Sequence, residues 1–377
     1  MGPVSDGEDL VSRARSIFAR LRDAEEEPAP PAEAPSAAPE EADPALEPAA
    51  GSGEHATPPE APVAAPAEAP AEPDDVDEDM KIGEALPTPV LDAVAEAASE
   101  VEVTPEVNGH VEQGRPPRPL PRIIAVANQK GGVGKTTTAV NLGAALAELG
   151  YRVLVVDLDP QGNATTGLGV NPRNIQLSLY DVLMSGRPIE DCIEPTAVRN
   201  LFVAPATIDL AGAEIELVPA FSRELKLRRG LEGSAGEFDF TLIDCPPSLG
   251  LLTVNGLAAA DEVLVPIQCE YYALEGLGQL LKNVSLVQGN LNPRLELGAI
   301  VLTMYDARTR LAEQVANEVR QHFGPTVCKV VVPRTVRLSE APSFGQPVTV
   351  FDSSSRGAIA YRELAKEVSG GTPQRTG

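Results

Sequence analysis

Asn128-Gln129-Lys130-Gly131-Gly132-Val133-Gly134-Lys135-Thr136-Thr137 is the stretch that decides the fold. It follows Ile123-Ile124-Ala125-Val126-Ala127, an unbroken apolar run of the kind expected for a strand buried on both faces. Beyond it, Ala139, Leu142, Leu146 and Leu149 recur with helical period, and Gly150 marks the stop. A glycine-rich loop at such a junction is a phosphate cradle, because the helix start offers free N–H groups and the positive end of its dipole. Gly131, Gly132 and Gly134 let the backbone curl so that its N–H groups converge on phosphate. Lys135 is placed to reach the β- and γ-phosphates, with Thr136 and Thr137 behind it and the Thr136 hydroxyl available to Mg²⁺.

A second buried run, Val153 to Val156, leads into Asp157-Leu158-Asp159-Pro160-Gln161-Gly162-Asn163. A third, Phe240 to Ile243, ends in Asp244. Carboxylates at the C-terminal ends of parallel strands face the crevice where ligands bind, and Asp244 is placed to hold Mg²⁺ through water. One strand-end acid alone is often a helix cap; three segments in this order point to a Mg²⁺-ATP site. Further apolar runs at Val263–Val265, Leu297–Leu302 and Val327–Val332 alternate with helical stretches at Leu249–Ala260, Leu274–Val287, Arg310–Phe323 and Ile359–Val368. That alternation predicts an α/β fold, a mostly parallel sheet covered by helices on both faces, in one domain over residues 122–368.

The loop departs from G-x-x-x-x-G-K-T in that Gln129 stands at the first glycine and an extra lysine, Lys130, precedes the glycines. It resembles the deviant Walker A motif, K-G-G-x-G-K-T, of the ParA/MinD family of P-loop ATPases. The resemblance implies a nucleotide-sandwich homodimer in which Lys130 reaches phosphate held by the other copy, offsetting charge in the transition state. It also implies that Asp159 orients the attacking or metal-bound water, that Asp157 supports the Mg²⁺ shell, and that Lys130, Lys135 and Asp159 form the catalytic set.

Four more stretches, Glu270–Gly276, Thr303–Thr309, Pro333–Ser343 and Ser354–Ala358, resemble chromosomal, Soj-type ParA proteins. They imply a cytoplasmic, nucleoid-associated partition ATPase. Its ATP dimer would bind double-stranded DNA without sequence preference, and a ParB-type centromere-binding partner would reset it. Arg308, Arg310, Arg334, Arg337 and Arg356 match the DNA-contacting positions, and Pro333 and Thr335 the adenine contacts, although relatives usually carry Asn where Thr335 stands. Each arginine taken alone is equally a solvated surface charge or half of an intramolecular ion pair; clustered on one face, they would make a phosphate-binding stripe.

The sequence leaves three rival readings. A MinD-like membrane ATPase, positioning a complex on the membrane or at the cell pole, would end in a basic amphipathic helix, whereas this chain runs out as Ser369-Gly370-Gly371-Thr372-Pro373. An iron–sulfur ATPase would need a cysteine pair poised between subunits, and Cys192, Cys245, Cys269 and Cys328 form no such pair. A nucleotide-sensing scaffold fits poorly with an intact set of Lys130, Lys135, Asp159 and Asp244.

The acidity of the chain is local. Residues 1–114 hold 28 of the 55 acidic residues, 5 of the 30 basic ones and 17 of the 36 prolines, so they carry −23 of the net −25. Such a segment buries too little to offset chain entropy, and a disordered acidic Ala/Pro-rich linker is expected over residues 28–121, with a flexible end over 369–377. Within residues 1–27, Leu10, Ala14, Ile17, Phe18 and Leu21 among four arginines fit a short amphipathic helix. It would be either a dock for a polar, scaffold or membrane partner or a marginal helix without one. No run of 18 apolar residues and no secretory or myristoylation signal is present.

Overall fold

The computed structural model describes residues 118–370 apart from 235, 271 and 272. The expected N-terminal helix, nearly all of the acidic linker and residues 371–377 lie outside the described residues.

β1 (Arg122–Val126) leads through the phosphate loop into α1 (Lys135–Glu148), followed by β2 (Val153–Asp157) and the short α2 (Asn163–Gly167). A stretch of small elements comes next: α3 (Leu179–Ser185), β3 (Glu194–Pro195), β4 (Leu201–Ala204), α4 (Leu210–Glu216) and α5 (Lys226–Leu231). The regular alternation then resumes with β5 (Phe240–Asp244), α6 (Leu251–Ala259), β6 (Glu262–Gln268), α7 (Ala273–Asn290), β7 (Glu296–Tyr305) and α8 (Arg310–Phe323). The chain closes with β8 (Val327–Pro333), α9 (Val336–Glu340), α10 (Val348–Phe351) and α11 (Arg356–Ser369).

The strand order is β3-β4-β2-β5-β1-β6-β7-β8, parallel throughout except for the β3–β4 pair. From β1 the chain moves to one side of the sheet, and from β5 it crosses to the other. The crevice at that reversal lies beyond the C-terminal end of β1, where the phosphate loop begins.

The strands read as continuous apolar runs because both faces are covered. Ile124, Val153, Val155, Leu242 and Val301 face α1 and α11, while Ala125, Leu154, Val156, Ile243 and Val265 face α3 to α8. α11 turns Ala358, Tyr361, Leu364 and Ala365 into this core, so the last described helix is a core element rather than a free amphipathic one. All four cysteines are buried, and no described helix is long and apolar enough to cross a membrane.

Candidate nucleotide site

The loop after β1 folds as phosphate chemistry requires. Gly132 and Gly134 take φ of +73° and +88°, and a Cβ on Gly131 or Gly132 would meet nothing within 4 Å. The concave side of the loop is therefore lined by backbone, with room for a ligand. Asn128 braces the loop: its Nδ2 donates to Pro266 O at 2.7 Å, and its Oδ1 accepts from Lys130 N at 3.0 Å. On the other flank the Thr303 hydroxyl donates to Val133 O at 2.8 Å.

Lys135, the first residue of α1, is buried, and its Nζ donates to Lys130 O at 3.1 Å. Burial lowers its pKa, while Asp244, Cys245 and Asp159 pull it back up. Lys130 lies further out and pairs with Glu270 at 3.2 Å.

Asp157 and Asp244 are register partners at the C-terminal ends of β2 and β5, both fully buried. Asp157 Oδ2 accepts from Thr165 N at 2.7 Å and from Thr165 Oγ1 at 2.6 Å. Burial raises its pKa to about 6, although the Thr165 bonds act the other way. Asp244 has no such support, since neither of its oxygens finds a hydrogen-bond partner. Burial, then Asp157, hold its pKa well above the carboxylate range, with Thr136 and Lys135 pulling it down. Two adjacent buried carboxylates, one of them unpartnered, form a site short of positive charge, and a divalent cation beside Thr136 fits that deficit. Asp159 is buried at the mouth, where its Oδ1 accepts from Gln161 N at 3.0 Å.

The second half of the site comes from the ends of β7 and β8. A cavity of about 340 Å³ joins Gly134 of the loop and Thr137 of α1 to Met304, Pro333, Arg334 and Thr335. Pro333 and Thr335 therefore do come beside the phosphate loop. The Thr335 hydroxyl caps α9, accepting from Leu338 N at 3.4 Å, and Met304 sits on the cavity wall at φ +50°, a conformation rare for a side-chain-bearing residue.

Arg308 and Arg310 follow β7, Arg334 and Arg337 follow β8, and Arg356 opens α11. Arg308 grips Asp306 through Nε and Nη2, at 2.9 and 2.6 Å, and Arg334, which follows β8, also acts on Asp306. Arg337 pairs with Glu340 at 2.9 Å and Asp352 at 3.2 Å. Arg310 and Arg356 are the first residues of α8 and α11, exposed, at the end of a helix where a cation is unfavourable.

An AAA-domain family model matches residues 121–297. The sporulation initiation inhibitor protein Soj of Bacillus subtilis is 59% identical over 247 residues, covering 66% of this chain and 98% of Soj. The chain belongs to the Soj/ParA family of chromosome-partitioning ATPases. The chromosome partitioning protein ParA of Myxococcus xanthus is 55% identical over 247 residues, covering 66% of this chain and 87% of that protein. Among solved structures, the Mycobacterium smegmatis cobyrinic acid a,c-diamide synthase with a bound ATP analog and magnesium is 44% identical. It covers 66% of this chain and 93% of its own, with a TM-score of 0.58.

Three residues that serve the Soj/ParA site carry no role in the sequence reading. Asn128 opens the phosphate-loop stretch and Thr165 stands two residues past the Asp157–Asn163 segment, so a strand-end Asn and a Thr eight residues beyond Asp157 were signals open to view. Glu270 opens a quoted stretch, but nothing local ties it to Lys130, 140 residues away in the chain.

Proposed function

We propose that this chain is a chromosome-partition ATPase that hydrolyses Mg²⁺-ATP, closes as a homodimer around it, and in that form binds double-stranded DNA without regard to sequence. A ParB-type centromere-binding partner stimulates hydrolysis and returns it to the monomer. The observation that carries the reading is the pairing, in one crevice, of a buried lysine with an outlying one: Lys135 is anchored inside the loop, and Lys130 lies at its rim.

The chain's own residues divide the work. The loop N–H groups and Lys135 hold the phosphates, and the cavity beside Pro333 and Thr335 takes the adenine. Asp244 and Thr136, backed by Asp157, would hold Mg²⁺, which neutralises charge across the β- and γ-phosphates when bound. Asp159 orients a water for attack on the γ-phosphorus, and the bond to the β-phosphate oxygen breaks to leave ADP and phosphate. The partner's Lys130 steadies the charge that develops. For DNA, Arg310 and Arg356 at helix starts join cationic side chains to unsatisfied N–H groups, which suits phosphate rather than base edges. The reading places the protein in the cytoplasm on the nucleoid, with the N-terminal extension left for a polar or scaffold partner.

The test is DNA retention with ATP, ADP and no nucleotide over a salt series. Retention that requires ATP and weakens steeply with salt supports the reading. ATP-dependent retention on anionic vesicles without DNA binding would replace it with a membrane role.

A further inference from the structure

We propose that the surface formed by α9, α10 and the start of α11 is a dock for residues 90–103 of this same chain, an acidic and apolar stretch that precedes the ATPase domain. The dock itself stands apart from the ATPase cycle; its consequence for DNA rests on the DNA reading above.

Two phenylalanines are exposed among the described residues, Phe221 and Phe344. Phe344 closes the tight turn Ala341–Phe344 that continues α9, and its ring stacks on Phe351 of α10 with centroids 4.8 Å apart. The elements that meet here each expose a large apolar side chain: Val336 of α9 at 70%, Phe344 at 65%, Val350 of α10 at 49% and Ile359 of α11 at 51%. Polar ties clamp them together. Arg337 Nε lies 3.2 Å from Asp352, just after α10, and Arg362 of α11 donates to Thr349 O at 3.2 Å and to Ser353 O at 2.6 Å. One exposed apolar residue needs no explanation; four on elements clamped in this way call for a cover.

Charge indicates which cover. Residues 334–362 hold four arginines against two acids. Arg334, Arg337 and Arg356 are exposed, and both acids, Glu340 at 2.9 Å and Asp352 at 3.2 Å, already pair with Arg337. A fitting partner carries carboxylates together with apolar side chains. Residues 86–114 hold six acids and neither lysine nor arginine. Within them Val90, Leu91, Val94, Val101 and Val103 are interleaved with Asp92, Glu96, Glu100 and Glu102.

The path of the chain brings that stretch within reach. Arg118 pairs with Glu262 at 2.8 Å and Arg122 donates to Val368 O at 2.6 Å, so the chain enters the domain at the foot of α11. The surface lies at the head of that 14-residue helix, about 21 Å away. Residues 104–117 can span about 46 Å when extended. Tethering on this scale gives a local concentration on the order of 1 mM, so a contact too weak to hold between separate molecules is populated within one. Arg334, Arg337 and Arg356 are also the residues proposed to touch DNA. The docked stretch and DNA phosphates therefore compete for them.

The test is maleimide labelling of Val350→Cys in the full chain, whose native thiols are all buried. Asp92→Asn, Glu96→Gln, Glu100→Gln, Val94→Ser and Val101→Ser, introduced together, should speed labelling about tenfold if the docked form is about nine-tenths populated. The rate should not depend on protein concentration. Equal rates with and without the five changes overturn the proposal, and slowing that grows with protein concentration gives the surface to a second copy instead. The same undocked fraction sets DNA affinity, so ATP-dependent retention should tighten about tenfold in the five-fold variant. Phe344→Ser should tighten it in the otherwise unchanged chain and add nothing to the five-fold variant. Full additivity of the two would mean that charge acts at a distance without docking, and would overturn the proposal. Labelling is read without DNA, so a chain that never binds DNA removes the DNA reading while the labelling rates still decide the dock.

Discussion

Lys130 illustrates how little free energy is needed to leave a residue ready to change partners. Its ion pair with Glu270 spans 3.2 Å, with the two side chains 32% and 49% exposed, so solvent screening holds it to about 0.2–1 kcal/mol. Opening the pair to reach a second copy's phosphate therefore costs little. Lys130→Ala should abolish ATP hydrolysis and dimer closure together, as read by phosphate release and sedimentation; partner-stimulated turnover in this variant would rule out action in trans. Asp159→Ala should bind ATP with near-normal affinity yet release no phosphate, and filter binding separates that outcome from a site that fails to assemble. Asp244 is the opposite kind of residue, a buried carboxylate with two unpartnered oxygens. Asp244→Asn removes a carboxyl group that the nucleotide-free fold keeps only by desolvating or protonating it, and should raise the melting temperature of the nucleotide-free protein at pH 7 by a few degrees, corresponding to about 1–2 kcal/mol. The same variant should lose the further stabilisation that Mg²⁺-nucleotide gives the wild type, since that increment depends on binding the folded form.

Among the elements, β1 is tied to two others through its first residue. Arg122 reaches Glu262 at 2.6 and 2.8 Å and the Val368 carbonyl at 2.6 Å, and so pins β1, β6 and the end of α11 together. Arg122→Met should cost about 3 kcal/mol in urea unfolding, because it strands a buried carboxylate. Arg118, 2.8 Å from the same glutamate, keeps the loss from being larger. Arg118→Ala, at a 31% exposed side chain, should cost no more than about 1 kcal/mol. The central strands and long helices were readable from the residues alone because burial on both faces writes an unbroken apolar run, and four turns of helix write a clear period. α8 occupies Arg310–Phe323, the span its periodicity predicts. The stretch from α2 to α5 was not readable: helices of five to seven residues complete less than two turns, and β4 is the four-residue run Leu201-Phe202-Val203-Ala204. The site divides along the same line. Lys135, Asp157 and Asp244 sit in contiguous segments whose chemistry is local, whereas the hold of Thr165 on Asp157 and of Glu270 on Lys130 exists only once strands have been brought together.

At the scale of the whole molecule, the phosphate loop, Asp157, Asp244 and Arg334 all stand at or just beyond the C-terminal ends of strands. The five arginines are not equivalent there. Arg308 and Arg337 are already engaged by carboxylates, while Arg310 and Arg356 stand at helix starts. Arg310→Ala and Arg356→Ala should therefore weaken ATP-dependent DNA retention more than Arg308→Ala, equally for all sequences. Each should lower the slope against log salt by about 1. The sequence contains no tryptophan at all, and Phe221 projects into solvent more than any other large apolar residue among those described. An indole placed there by Phe221→Trp would be the molecule's sole red-edge fluorophore. Its emission should move to shorter wavelength when a neighbour shields it, which would let association be followed in real time by light, with no attached dye.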